Sequence, residues 1–305
     1  MSKIIVIGGQ TATGKTKLAI ELAKQINGSI INGDSMQVYK EMNIGTAKIK
    51  EVEKEGVPHY LFDIVSVKES FSVAEYKDLA TKKINEIFEQ KRVPIIVGGT
   101  GLYLRSVLYD YDFNKEVSND SSTKYKDKTN QELYDILKKY DLDSALQIHP
   151  NNRKRVLRAI SIYESSGKTK SYWLSKQKHK LVFDCLFIGL TADRKTLYNS
   201  INKRVDEMFV AGLEKEVHEI IKSASPNSTC LQAIGYKEFI PYFSGLINKE
   251  QLVELIKKNT RRYAKRQYTF FNNQFKVTWY DTNVYTTTDI VSKIIADFEG
   301  GKKND

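Results

Sequence analysis

The chain of 305 residues has two cysteines, Cys185 and Cys230, and four histidines, His59, His149, His179 and His218. Two cysteines cannot build a disulfide framework, and neither lies in a Cys-x-x-Cys pair or beside histidines at metal-ligand spacing. Both cysteines therefore read as core residues, and no histidine is assigned to a metal or to catalysis. No window approaches the roughly 18 continuous apolar residues of a membrane span. The first residues run straight into an apolar strand pattern rather than a signal peptide, so a cytoplasmic protein without membrane contact is expected. Internal repeats and low-complexity tracts are also missing. With 41% hydrophobic and 28% charged residues, the composition is that of an ordinary soluble chain long enough for about two domains.

Acid is scarce in two places, although the net charge is only +11. Between Asn151 and Lys180 lie nine basic residues (Arg153, Lys154, Arg155, Arg158, Lys168, Lys170, Lys176, Lys178 and Lys180) and one acid, Glu164. Between Lys257 and Arg266 lie six more (Lys257, Lys258, Arg261, Arg262, Lys265 and Arg266) and no acid. These two segments exceed the net charge of the whole chain. Focused positive charge points to a polyanionic partner, whereas solvated lysine faces are usually diluted by acids.

What is present is a phosphate loop. Gly9 to Thr16, GQTATGKT, fits G-x-x-x-x-G-K-[ST], with Ile4 to Ile7 reading as a buried parallel strand before it. After it, Leu18, Ala19, Leu22 and Ile26 share one face of a helix. In such a loop the backbone N–H groups of Gly9, Gln10, Thr11, Ala12, Thr13 and Gly14 face a diphosphate. Lys15 reaches its terminal oxygens, and the Thr16 hydroxyl holds Mg²⁺.

Ser29 to Asn32 reads as a second strand, delivering Asp34 to a carboxyl end, and Val93 to Val97 as another, running into Gly98-Gly99-Thr100-Gly101. Ser72 and Glu75 make a capping box for a helix to about Gln90. From Asp110 to Lys128 the chain is polar and aperiodic. Helices are expected at about 130–140, 143–148 and 152–165, then a strand at Leu181 to Leu190. The remainder reads as mainly helical, with Leu197, Ile201, Val205 and Met208 on one face. A long helix spans about 249–272, on which Lys257, Arg261, Lys265 and Lys258, Arg262, Arg266 form two adjoining rows. A short strand at Lys276 to Tyr280, a last helix and a frayed GGKKND tail follow. The fold class is α/β: a P-loop NTPase-like parallel sheet with flanking helices, plus a small helical insertion. The core is residues 1–110 and 181–305, and the insertion is 111–180.

Three side chains carry open alternatives on sequence alone. Asp34 is either a carboxylate organising Mg²⁺ or a general base. Thr100 bonds a ligand or caps the following helix. Arg204, in RVDEMFVAGLEKEV, forks onto phosphate or pairs with Asp206 or Glu207 at the surface.

Seven strings, GGQTATGKT, NGDSMQVYKEMNIGTAK, GGTGLYL, IHPNNRKRVLRAISIYESSGK, RVDEMFVAGLEKEV, QAIGYKE and TRRYAKRQYTFF, run in order from residue 8 to residue 271. Together they resemble the tRNA dimethylallyltransferase, or isopentenyltransferase, family. The resemblance implies transfer of a dimethylallyl group from dimethylallyl diphosphate to N6 of the adenine 3′ of a tRNA anticodon, with Mg²⁺ at Thr16. It implies that Asp34 is the base or acceptor for the adenine amine, and that Thr100 and Arg204 contact the transferring group and diphosphate. Ser35, Met36 and Gln37 would line the flipped base. Lys154, Arg155, Arg158, Ala159 and Ile162, with Thr123, Arg261, Arg262 and Lys265, would hold the anticodon stem-loop of the tRNA. The enzyme is expected to act as a monomer. Gln10 stands where proline is usual in the family, which is expected to loosen the loop. The TFFN string from Thr269 stands where a tryptophan and then an arginine are common, removing one hold on RNA. The competing readings are a P-loop small-molecule or nucleotide kinase, an adenylate isopentenyltransferase, and an RNA-binding module with a fossil loop. The two basic clusters speak against a mononucleotide acceptor, and intact Lys15, Thr16 and Asp34 against a fossil.

Overall fold

Apolar runs that do not alternate bury both faces of a strand, which is the signature of a parallel sheet covered on both sides. The computed structural model describes residues 3–110, 124–177, 180–225 and 228–300. Its core elements, in chain order, are β1 (Lys3–Gly9), α1 (Lys15–Gln25), β2 (Gly28–Asn32), β3 (His59–Tyr60), α2 (Val73–Glu89), β4 (Val93–Val97) and α3 (Gly101–Leu108). The helices α4 (Asn130–Tyr140), α5 (Leu142–Gln147), α6 (Arg153–Ser166) and α7 (Lys170–Lys176) come next. The chain then continues through β5 (Asp184–Thr191), α8 (Arg194–Val210), α9 (Leu213–Ser223), α10 (Phe239–Phe243), α11 (Lys249–Gln274), β6 (Thr278–Asp281) and α12 (Thr287–Gly300).

The six strands form one parallel sheet in the order β3-β2-β4-β1-β5-β6. β1 is central, with Ile5 opposite Ile95 on one side and Leu186 on the other. Ile4 to Ile7 are fully buried, each removal from water contributing about 1.5–3 kcal/mol. On one face Leu18, Leu22 and Ala23 of α1 pack with Ile290, Val291 and Ile294 of α12 over Ile5, Ile7 and Ile188. α2, α3 and α11 belong to the other face, where Phe187 and Phe271 close over Gly8. The Ser72–Glu75 capping box closes α2, with Ser72 N–H donating to Glu75 at 2.7 Å and Glu75 N–H to Ser72 Oγ at 3.2 Å.

Two ends of strands meet with no room between them. A Cβ on Gly98 would stand 2.1 Å from the backbone of Gly33. This close approach brings the segment carrying Asp34 against the one carrying Thr100.

The described chain divides into two units, 1–108 with 182–305, and 109–181. The second unit has its own core of Tyr125, Leu133, Leu137, Ala145, Ile148, Val156, Ala159 and Ile160. Arg153 is spent within it, donating to the carbonyls of Lys128 at 2.6 Å and Tyr125 at 2.7 Å. Glu164, the lone acid of that segment, accepts from Lys124 at 2.6 Å and from the Tyr125 hydroxyl at 2.5 Å.

Several local expectations change. The strand expected from Leu181 begins at Asp184, because Leu181 bridges to Tyr109 and the Val182 N–H donates to the Leu108 carbonyl at 2.9 Å instead of joining the sheet. β3 and α7 carry no readable period in the sequence. Cys230 is buried, but Cys185 near the start of β5 is only partly so. Thr123, the 111–123 stretch, Lys178, His179, Pro226 and the tail from residue 301 lie outside the described residues. Among the described residues, no helix is long and apolar enough to cross a membrane.

Candidate active site

The loop after β1 turns through three left-handed residues, Gly9 (φ 113°), Ala12 (φ 62°) and Gly14 (φ 86°). At Gly9 a Cβ would stand 2.8 Å from the Leu190 carbonyl, so both φ and space require glycine. Gly14 is the N-cap of α1 and supplies no side-chain acceptor, nor does the first turn hold an acid. The free N–H groups and positive end of the helix dipole are thus left for an anion. Lys15 Nζ donates to the Gln10 carbonyl at 2.5 Å. Burial, reinforced by the nearby Arg204 charge and opposed by Asp34, lowers the Lys15 pKa to about 7.

Asp34 sits two residues beyond the β2 end. Asn32 fixes it from both sides: Asp34 N–H donates to Asn32 Oδ1 at 2.9 Å, and Asn32 Nδ2 donates to the Asp34 carbonyl at 3.0 Å. Asn32 is itself buried, its carbonyl accepting from the Tyr76 hydroxyl at 2.8 Å. Burial pushes the Asp34 carboxyl above the ordinary range, against the Met36 N–H that bonds Oδ1 at 2.9 Å and the charges of Lys15 and Arg204. Tyr76 and Tyr103, stacked at 4.0 Å, and Tyr263 lie within electrostatic reach of Asp34, with pKa values raised first of all by burial.

Arg204, on α8, turns inward and donates to Thr11 Oγ1 at 3.2 Å. Of the acids beside it in sequence, Asp206 pairs with Lys257 at 2.7 Å and Glu207 pairs with Lys203 at 3.8 Å while its charge still acts on Arg204.

Two cavities share Thr11, Ala12, Asp34, Thr46, Arg204 and Tyr263. The first, about 170 Å³, is walled by Thr11 to Thr16, Gln37, His59 and Gln267. The second, about 320 Å³, is walled by Ser35, Met36, Gly45, Met208, Tyr236 and Arg266 among others. Asp34 therefore stands where a phosphate-loop cavity opens into a larger one.

Not every expected residue reaches a cavity. Thr100 lines neither. Its hydroxyl accepts the Ser35 N–H at 2.9 Å and donates to Ser35 Oγ at 3.1 Å, which makes it a brace for the Asp34 segment. Gln37 faces the first cavity and donates to the Thr46 carbonyl at 3.0 Å, apart from Ser35 and Met36 in the second. Gln10 does not loosen the loop: its Oε1 accepts from Thr191 Oγ1 at 3.2 Å and its Nε2 reaches the Ala264 carbonyl at 3.4 Å. Phe270, in the TFFN string, packs over Gly101.

The basic segments also sort into spent and exposed charges. Ala159 is fully buried in the second unit's core, so its side chain is closed to RNA. Ile162 is half-buried, while Lys154, Arg155 and Arg158 are exposed on α6. Lys170, close to Arg155, has its pKa lowered by burial and by that charge. On α11, Lys257 is 13% exposed and neutralised by Asp206, an acid distant in sequence from the basic run it faces. Arg261 donates to Asn202 at 2.7 Å and lies over the Tyr198 ring, while Arg262 and Lys265 are exposed.

Sequence reading missed Asn32, Tyr76, Tyr263 and Gln267. Gln267 left a signal: it is a buried amide within the stripe Leu252, Ile256, Ala264 and Phe271 of α11. A polar residue on an apolar face calls for a buried partner.

Residues 37–274 match the family described as IPP transferase. The tRNA dimethylallyltransferase of Anoxybacillus flavithermus is 51% identical over 280 residues, covering 92% of this chain and 90% of that protein. The one from Bacillus subtilis is 46% identical, with 98% and 97% covered. The crystal structure of tRNA delta(2)-isopentenylpyrophosphate transferase from Staphylococcus epidermidis is 44% identical over 98% of this chain and 99% of that one, with a TM-score of 0.74. A eukaryotic dimethylallyltransferase acting on tRNA is 31% identical over 99% of this chain and 80% of that one, with a TM-score of 0.84. This chain belongs to the tRNA dimethylallyltransferase family.

Proposed function

We propose that the protein transfers a dimethylallyl group from dimethylallyl diphosphate to the exocyclic N6 of the adenine 3′ of a tRNA anticodon, releasing diphosphate. The observation that carries this reading is the position of Asp34, which lines both the phosphate-loop cavity and the larger cavity beside it. The donor's diphosphate occupies the first cavity, on the loop N–H groups, Lys15 and Arg204. The adenine, turned out of its stack, enters the second past Ser35 and Met36, because an amine inside a stacked loop cannot reach the donor.

N6 attacks the allylic carbon as the bond from that carbon to the diphosphate oxygen breaks, and the N6 proton passes to Asp34. Lys15, Arg204 and the dipole of α1 stabilise charge growing on the leaving oxygen. The raised Asp34 pKa brings its basicity closer to neutral pH, where a general base works best. The site suits Mg²⁺ held mainly by substrate oxygens and water: Thr16 is exposed at the loop, and the described residues contain no cluster of three His, Cys, Asp or Glu side chains for a protein cage. When bound, the ion supplies neutralisation of the diphosphate. In the second unit, Lys154, Arg155 and Arg158 hold phosphates of the anticodon stem-loop; in the first unit, Arg262 and Lys265 of α11 offer tRNA phosphates a separate hold. The protein works in the cytoplasm as a monomer.

Labelled dimethylallyl diphosphate incubated with an anticodon stem-loop and Mg²⁺ tests this. Label on RNA with an equal amount of diphosphate released is the expected result. Phosphate released from ATP with no prenylated RNA would favour a kinase instead.

A further inference from the structure

The segment from Asp34 to Lys48 has no helix or strand of its own, yet it walls both cavities. Turns satisfy part of its backbone, as where the Ala47 N–H donates to the Ile44 carbonyl at 2.9 Å, and side chains must satisfy the rest. Lys48 holds one carbonyl closely: its Nζ, on a side chain 5% exposed, donates to the Tyr39 carbonyl and to Asp63 Oδ1, both at 2.6 Å. Three consecutive N–H groups in the middle of the segment go to one carboxylate from outside it. Glu216, on α9, accepts the N–H groups of Asn43 at 2.9 Å and Ile44 at 2.7 Å on Oε2. Its Oε1 accepts the Gly45 N–H at 3.0 Å and the Tyr236 hydroxyl at 2.7 Å. Three consecutive amides and a phenol thus converge on a single carboxylate. Charge-assisted bonds of this kind are roughly twice as strong as neutral ones.

The clasp also sets a distance. A Cβ on Gly45 would stand 2.6 Å from the Tyr236 ring, so the loop lies directly on that ring. Gly45, Thr46 and Tyr236 together wall the larger cavity. We infer that Glu216 is a positioning residue: by pinning Asn43 to Gly45 against Tyr236 it fixes the acceptor-side wall and thereby the affinity for RNA. This rests on the proposed assignment of the larger cavity to the adenine.

A carboxylate that merely stabilises the fold would lower the melting temperature and leave the substrates' KM values alone. Glu216→Gln keeps the volume but leaves one accepting oxygen where four donors meet, and Tyr236→Phe removes a single donor. Steady-state kinetics on Glu216→Gln should show the KM for an anticodon stem-loop raised about tenfold, equivalent to about 1.4 kcal/mol of binding free energy. Its kcat should change by less than about threefold, and the KM for dimethylallyl diphosphate by less than about twofold, since the broken bonds do not touch the phosphate loop. Tyr236→Phe should show a smaller rise, and the double variant should be no worse than Glu216→Gln alone, because both act through one clasp. Fluorescence anisotropy of the labelled stem-loop, with inorganic diphosphate present, reads the same affinity change without turnover. Wild-type protein that transfers no label would overturn the proposed reaction. Glu216→Gln binding the stem-loop as tightly as wild type, or raising only the KM for the diphosphate donor, would overturn the clasp.

Discussion

Gln267 and Thr11 are 256 residues apart in sequence, yet the Thr11 N–H donates to Gln267 Oε1 at 2.9 Å. The same side chain donates through Nε2 to the Gly99 carbonyl at 3.0 Å. One buried amide on α11 therefore ties the phosphate loop to the turn that braces the Asp34 segment.

Gln267→Leu removes both bonds: the Thr11 N–H loses its side-chain acceptor, and the Gly99 carbonyl keeps the longer bond from the Tyr263 hydroxyl at 3.4 Å. Losses of that kind cost about 1–3 kcal/mol each. Thermal melting should show a fall of several degrees, and isothermal titration should show weaker binding of dimethylallyl diphosphate. Unchanged donor affinity would mean that the phosphate loop holds its shape without α11.

Asp34→Asn keeps the size of the side chain and removes the base. Turnover should fall by about 10²- to 10⁴-fold, the usual contribution of a positioned base, while stem-loop affinity by anisotropy stays near wild type. The raised pKa also fixes a sign: as pH falls through it, Asp34 takes a proton, so kcat of the wild type should drop on the acid side, at a pH above the ordinary carboxylate range. Collapse of RNA binding in the variant would reassign Asp34 to recognition.

With its pKa lowered to about 7, Lys15 is largely neutral above that pH in the free protein. An anion beside it favours the charged form, so donor binding above pH 7 should be accompanied by proton uptake. Calorimetry in buffers of different ionisation enthalpy should show that uptake, and donor affinity should weaken from pH 7 to pH 9. Flat affinity with no proton uptake would place Lys15 away from the diphosphate.

The basic residues of α6 separate by what they touch. Replacing Lys154 and Arg155 by Ala should weaken stem-loop binding and reduce the slope of log affinity against log salt by about one for each phosphate no longer neutralised. Arg153→Ala should instead destabilise the second unit, because Arg153 staples the carbonyls of Lys128 and Tyr125. An unchanged salt slope in the double variant would exclude this helix as the RNA clamp.

The sheet was readable where sequence and tertiary structure ask for the same thing. Ile4 to Ile7 and Val93 to Val97 are apolar runs ending in glycine turns, and such runs can scarcely be anything but buried parallel strands. Lys15, Thr16 and Asp34 were legible because strand ends deliver them. Residues that hold the site in shape were not. Asn32 looks like one more strand residue, and nothing local links Gln267 to Thr11 or Glu216 to Gly45. Charge was overcounted for the same reason: Asp206 reaches Lys257 from another helix, and Arg153 turns back onto its own backbone.

The central claim is that Asp34 takes a proton from an adenine amine as a prenyl group arrives from the phosphate-loop cavity. Its most direct test is transfer of labelled dimethylallyl diphosphate to two anticodon stem-loops that differ only in the base 3′ of the anticodon, adenine in one and purine lacking the amine in the other. The account predicts label on the adenine RNA, mapped to N6 by mass spectrometry, and none on the other. Equal label on both, or label on neither with ATP consumed in its place, would contradict it.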